Sequence, residues 1–458
     1  MRSIQSKRLF DQSHPLLLLP QLFNFVPRSV MEKVLEECGA REQRCRKLPA
    51  LLVMILCVVM HWFSHESLAY VLQKLIYIPA LSQGILPRLW SADKSSISEA
   101  RYRLGAKPLE RLFKQVCQCQ TTASTPGSFR FGKRLVAFDG TVENVADSQS
   151  NAAYFGRSSN SYGESAYPQL RCLYLTECGS HILFDAGIWP YAASEKVHMR
   201  RLLRSLTADM LAMVDMGLTS AETLIGIAHQ GADFLARVEK RWRLDPLAQL
   251  ADGSFLAEVF WADALPGQVK HLPVRVIVYT LDDPHRPGHG ERHRLITSLL
   301  DPQLAPALDL VCTYHERWEI EVTIDELDTH QRLSQQPFRS QHPVGVIQEV
   351  YGLLIAHFVI RSWMLQAAQT VALDPDRLSF IQALRVIRDS IPLAYLHLPF
   401  DFCALLQDTL AYWRLPPRDN RINPRVVKRR LTKFPRKQLV DYLPPRPCFP
   451  FRQVVRLC

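Results

Sequence analysis

Tyr314-His315-Glu316-Arg317-Trp318-Glu319-Ile320-Glu321 sets a phenol, a guanidinium and a carboxylate at offsets 0, 3 and 7. At roughly 100° per residue, a helix through this stretch would bring Tyr314, Arg317 and Glu321 within about 60° of one another. Such a face is poor core material. It suits a phosphate held beside a metal ion, because a guanidinium pairs with phosphate oxygens and a carboxylate with a hard cation.

Upstream, Asp139 and Asp215 share one context. Each follows an apolar run, Leu135-Val136-Ala137-Phe138 and Met210-Leu211-Ala212-Met213-Val214, and each precedes a glycine by one or two positions. This reads as a strand that ends on an exposed carboxylate, with the glycine turning the backbone away. An aspartate before a glycine is by itself an ordinary turn signal. Two of them followed by Glu321 form a more specific set, since three carboxylates can hold two Mg²⁺ ions about 3.5–4 Å apart.

The elements between these residues read as a mixed α/β sheet. Strands are expected at Leu170–Glu177 and His181–Ile188, joined as a hairpin, and at Phe234–Val238, with a helix at Glu222–His229. Phe255–Trp261 and Val274–Tyr279 read as strands of a β-rich insertion. One helix is expected from about Asp309 to Leu333, and a long apolar helix over His342–Ala367. Thr121–Gly132 has the Ser, Thr, Gly and Pro content of a linker. The first hundred residues read as helical, at Val30–Cys38, Ala50–Met60, Ser67–Tyr77 and Ser95–Leu104.

At 458 residues the chain needs several structural units, and 47% hydrophobic residues are ample for their cores. The expected division is a helical N-terminal domain at 1–120, a linker at 121–132, a first catalytic part at 133–240, the insertion at 241–305, the continued catalytic part at 306–370 and a basic helical region at 371–458. A net charge of +11 favours a polyanionic partner. Two basic clusters are candidates for phosphate contact: Arg41, Arg44, Arg46 and Lys47, and the tail residues Arg425, Lys428, Arg429 and Arg430. The first of these reads equally well as a solvated helix face.

Eleven cysteines with no Cys-x-x-Cys pair argue against structural zinc and for reduced thiols in a cytoplasmic protein. The eleven apolar residues from Ala50 to Met60 fall short of the roughly 20 that a membrane span needs, so no membrane partner is expected.

The spacing Tyr314-x2-Arg317-x3-Glu321 resembles the signature of the insertion sequence 4 family of bacterial DDE transposases. Arg41-Glu42-Gln43-Arg44 with Leu48-Pro49-Ala50, the run Leu295–Pro302 and Asn423–Lys428 are similar to the same family. The resemblance implies a ribonuclease H-like core with a β-rich insertion between the second aspartate and the glutamate, and the 106 positions from Asp215 to Glu321 fit that layout.

It also implies roles. Asp139, Asp215 and Glu321 would be the triad holding two Mg²⁺ ions, with Mn²⁺ as a substitute. Tyr314 and Arg317 would contact phosphate, and Trp318 would handle a flipped base. The chain would act as a dimer on the inverted-repeat ends of its own element and on target DNA, by cut-and-paste transfer, close to the nucleoid. Two positions depart from the family pattern. The signature lysine is Asp328 here, and Met216 and Leu218 flank Gly217 where an arginine and an aromatic are expected. These departures leave a second reading open, that of a catalytically inactive DNA-binding derivative. Asp325 and Asp328 are expected to be solvated.

Overall fold

In the computed structural model the described residues are 19–43, 47–82, 92–161, 163–262, 269–284, 286, 288–332, 336–393, 402–416 and 449–458. They divide into two compact units. Among the described residues, the first comprises those from 19 to Leu206 together with those of Trp318–Leu415, and the second comprises those of Thr207–Arg317 with Pro416 and 449–458.

The first unit opens with helices α1 (Arg28–Glu37), α2 (Ala50–Val59), α3 (Leu68–Ser82), α4 (Lys94–Leu104) and α5 (Lys107–Val116). Gly39, at φ +64, ends the α1 segment where glycine meets no steric cost. Helix α2 has almost no polar face and is buried at every residue but Leu51, as its composition requires. It packs on α10 (Pro343–Thr370), and the approach is close enough that a Cβ on Gly352 would lie 2.1 Å from the Cys57 carbonyl oxygen.

Helix α10 is long and apolar enough to cross a membrane by length alone, yet the window that qualifies is 89% buried within the protein. It carries Gln348, Glu349, His357 and Arg361 inward. Glu349 meets Arg101 of α4, which ties the N-terminal helices to this core helix.

The strands of this unit are β1 (Lys133–Asn144), β2 (Gln169–Glu177) and β3 (Ile182–Pro190), paired antiparallel in the order β3-β2-β1, with the short helix α6 (Gln149–Phe155) before β2. The stretch expected as a linker is docked. Phe129–Arg130 pairs with β1, and the Thr121 amide and hydroxyl donate to the buried Glu177 carboxylate, the hydroxyl at 2.6 Å.

One expectation about β1 needs correcting. The strand does not end at Asp139 but runs five residues further, with Asp139 opposite Tyr174 of β2. Gly140 does not turn the chain. A Cβ there would meet the Cys172 carbonyl and the Glu195 carboxylate at 3.2 Å, so this glycine serves a close approach within the ladder.

The second unit holds β4 (Met210–Val214), α7 (Ala221–His229), β5 (Asp233–Arg237), β6 (Phe255–Ala262), β7 (Val269–Leu281), β8 (His293–Thr297) and α8 (Ala307–His315). All five residues of β4 are buried, as a short wholly apolar run next to a parallel partner should be. Strand β4 pairs parallel with β5 through α7, whose Ser220 N-cap accepts from the Thr223 amide at 3.1 Å.

The β-rich stretch continues this sheet rather than standing apart from it. Strand β8 pairs antiparallel with β5, β7 with β8, and β6 with β7. Val455–Leu457 adds to the other end of β7. The parallel β4–β5 pair joined through α7, with antiparallel strands beyond it, makes this a mixed α/β sheet.

A second correction concerns the helix of the opening stretch. It is not continuous. Helix α8 ends at His315, Glu316 and Arg317 form a turn, and α9 (Trp318–Asp325) starts afresh before a π-helical segment, Glu326–Gln331. The helical-wheel argument therefore does not carry from Tyr314 through to Glu321.

Candidate functional site

Two of the predicted carboxylates belong to the first unit. Asp139 is half-buried in β1, where its Oδ1 accepts from the Gly140 amide at 2.8 Å. Glu321 is half-buried in the first turn of α9, the end of a helix where the dipole favours an acid. Helix α9 packs against β1, so the sheet and the helix that carry these two acids are neighbours.

The third carboxylate, Asp215, belongs to the second unit. It follows the last residue of β4 directly, as the sequence predicts, and its side chain is 42% exposed. The Gly217 amide donates to its Oδ2 at 3.3 Å.

Arg317 sits in the turn after α8, with Nη2 4.0 Å from Asp215 Oδ1 and its guanidinium over the Tyr314 ring at 5.9 Å. Tyr314 itself is buried. Its hydroxyl donates to the Val214 carbonyl at 3.2 Å, and burial pushes its pKa well up. The phenol thus braces the end of β4, one residue before Asp215. Trp318 opens α9 and is half-buried.

Of the first basic cluster, Arg41 is exposed and 3.9 Å from Glu36, and Lys47 is exposed. Arg44, Arg46, Arg425, Lys428, Arg429 and Arg430 lie outside the described residues.

Asp325 is exposed, as expected, and accepts from Thr329 at 2.6 Å. Asp328 corrects the expectation of a solvated acid. It lies 3.2 Å from Arg332, whose guanidinium also holds Glu143 of β1 and stacks on the Phe338 ring. Burial, and then the Glu143 carboxylate, raise the Asp328 pKa to about 8.

A buried ionic network in the first unit was not legible from single residues. Glu326 accepts from Arg361 Nε at 2.8 Å and from Arg361 Nη2, and it also holds His357 Nε2 at 3.1 Å and His181 Nδ1 at 3.4 Å. His181 Nε2 faces Glu319 at 2.8 Å and Asp376 at 2.9 Å. Arg361 Nη2 also lies against His181 Nδ1.

Burial pushes the Glu326 pKa up, but Arg361 and His181 outweigh it and keep the carboxyl well below its usual range. His181 is pushed down by burial and by Arg361. Asp376 and Glu326 outweigh both and raise it to about 10.

His181, Glu319 and Asp376 bring three ligand-type atoms within 4.8 Å of one another. With a proton on His181 Nε2 the two carboxylates are already bridged, so this is an ion-pair network and not the hard, oxygen-only donor set that suits Mg²⁺. A faint signal did exist in the sequence. Glu319 and Glu326 are seven apart, and His357 and Arg361 are four apart inside an apolar run, so each pair shares a helix face.

Residues 17–114 match the family described as insertion element 4 transposase N-terminal, and residues 130–359 match the transposase DDE domain. The chain is 26% identical over 429 residues to the transposase InsG for insertion sequence element IS4 of Escherichia coli (strain K12), covering 91% of this chain and 93% of that protein. It is 26% identical over 264 residues to the putative transposase InsZ of the same strain, covering 57% of this chain and 83% of that one. Among solved structures, a piggyBac transposase synaptic complex with hairpin DNA aligns over 90% of this chain and 87% of its own, at 13% identity and a TM-score of 0.44, a likeness too weak to argue from.

Proposed function

Because the chain belongs to the insertion element 4 family of DDE transposases, a class of DNA-cleaving and strand-transferring enzymes that use divalent metal, we propose that it moves its own element by a cut-and-paste reaction in which Asp139, Asp215 and Glu321 form the metal-holding triad. The observation that carries this reading is that Asp139 and Glu321 lie on two elements packed against each other, β1 and α9, within the matched domain. The exposed Asp215 at the end of β4 supports it as the third member.

The three groups offer carboxylate oxygens only, which is the donor chemistry that suits Mg²⁺, with Mn²⁺ as a substitute. Two such ions, when bound, would activate the attacking water or 3′-hydroxyl and stabilise the leaving oxygen. The rest of the work falls to the chain's own side chains. Arg317, close to Asp215, would hold a phosphate oxygen, with Tyr314 fixing the strand end through Val214. Trp318, at the start of α9, would stack on an unpaired base.

Lys47 and Arg41, with Arg44 and Arg46, would neutralise phosphates of the element end, and Arg425, Lys428, Arg429 and Arg430 those of a second DNA segment. The chain would nick one strand at each inverted repeat. The freed 3′-hydroxyl would close a hairpin on the opposite strand, and after water reopens it the same hydroxyl would join target DNA. We infer a homodimer on DNA and a cytoplasmic site of action beside the nucleoid. In this reading the N-terminal domain at 1–120 would engage element ends, and the parts at 133–240 and 306–370 would carry the chemistry.

The test is cleavage of duplex DNA carrying the terminal repeats, with Mg²⁺ or Mn²⁺, by wild type and by Glu321→Gln. Nicks and hairpins at the repeat boundary are expected from wild type, with a loss of at least about a thousandfold in the variant. Binding without cleavage by wild type under both metals would overturn the reading in favour of an inactive DNA-binding derivative.

A further inference from the structure

We propose that the buried network of Glu319, Glu326, His181 and Arg361 positions Glu321, by clamping the opposite face of its helix to the core. The inference rests on Glu321 being a metal-holding residue.

Helical geometry sets up the arrangement. Glu319 and Glu326 are seven residues apart, so an α-helix places them within about 20° of each other, whereas Glu321 lies roughly 160° from Glu319. Burial follows that division. Glu319 and Glu326 are 7% and 4% exposed, while Glu321 and Val322 are half-buried. One face of the segment thus turns two acids into the core, and the other presents the third.

The two inward acids are gripped by other elements. His181 comes from the β2–β3 hairpin, and Arg361 and His357 come from α10. Glu326 stands where the α-helix gives way to a π-helical segment, a widened turn common at functional sites. Its carboxylate draws three side chains from two elements onto one point. His181 adopts φ +60, a left-handed conformation that an imidazole residue takes at a cost unless its surroundings hold it there.

Apolar residues of the same size would fill this space at lower desolvation cost. What the charges add is direction, since each hydrogen bond fixes an angle as well as a distance. A tilt of α9 by one of these contacts would carry Glu321 away from Asp139 on the neighbouring strand. The four are positioning residues, since they act through Glu321.

The experiment uses full-length Glu319→Gln, Glu326→Gln, Arg361→Lys and Arg361→Met beside wild type and Glu321→Gln. Single-turnover cleavage of terminal-repeat DNA is measured across a Mn²⁺ titration, with metal-free binding of the same DNA and thermal melting recorded for each protein.

The proposal expects Glu319→Gln and Glu326→Gln to cut about 10- to 100-fold more slowly, to need several-fold more Mn²⁺ for half-maximal rate, and to bind DNA as wild type does. It expects Arg361→Lys to regain part of what Arg361→Met loses. If Glu326→Gln does not fold, Glu319→Gln at the rim of the network and the Arg361 pair carry the test.

A Mn²⁺ requirement unchanged in every folded variant, or rates that follow melting temperature alone, would overturn the proposal. If Glu321→Gln is inactive and Glu319→Gln is not, the positioning role fails while the triad stands. If Glu321→Gln still cleaves, the triad assignment fails and takes this inference with it.

Discussion

At the scale of single residues, Asp328 is the most instructive departure from the family pattern. Its carboxyl faces Glu143 and Arg332, and with its pKa raised to about 8 it is largely protonated near neutrality. A raised acid contributes stability that is complete below its ordinary value of 3.8 and is lost as pH rises through about 8. Asp328→Asn should therefore gain stability relative to wild type between about pH 5 and about pH 9, in urea denaturation at the two pH values. An equal difference at both would show that Asp328 ionises normally. Tyr314 makes the contrasting case. Its hydroxyl is committed to the Val214 carbonyl, so Tyr314→Phe should cost about 1 kcal/mol of stability and change cleavage by only a few-fold. A hundredfold loss of cleavage with unchanged stability would instead make the hydroxyl a direct DNA contact. Asp215 and Gly217 were legible because the signal is local, a short apolar strand and then a turn. The setting of Asp139 was not legible, since pairing with β2 from Val136 to Asn144 overrides the turn that Gly140 suggests.

At the scale of elements, most helices lie close to where their apolar patterns or runs put them, from α1 to α4 and through α7 and α10. The exception is the stretch that opened the reading. Pattern alone runs Tyr314 to Glu321 as one helix, whereas the chain turns at Glu316 and Arg317. Nothing in the local composition marks that break, which contains neither proline nor glycine. Both helices instead follow their own packing, α8 through Tyr314 against the end of β4 and α9 against β1. The meeting of α2 with α10 depends on one residue. A methyl group on Gly352 would strike the Cys57 carbonyl, so Gly352→Ala should destabilise the protein by about 1–3 kcal/mol in denaturant titration as the helices move apart. A neutral result would mean the two helices can separate at no cost.

At the scale of the molecule, a net charge of +11 and the proposed contacts of the basic tail would make DNA binding a counterion-release process. Replacing Lys428, Arg429 and Arg430 together by Ala should lower the slope of log affinity against log salt by about 2–3. An unchanged slope would remove the tail from the DNA contacts. The sequence by itself determined the α/β class, the helical N-terminal region, the strand–turn setting of Asp215, the buried nature of α2 and the family. Each of these rests on periodicity, residue type or spacing, which are properties of neighbours in the chain. The tertiary structure alone decided that α9 restarts after a turn, that β8 joins β5 to continue one sheet, and that His181, Glu319, Glu326 and Arg361 meet. His181 and Arg361 are 180 positions apart. The sequence gives no sign of their meeting, because burying charge costs energy whose return comes only when the chain has folded and brought the counter-charges into contact.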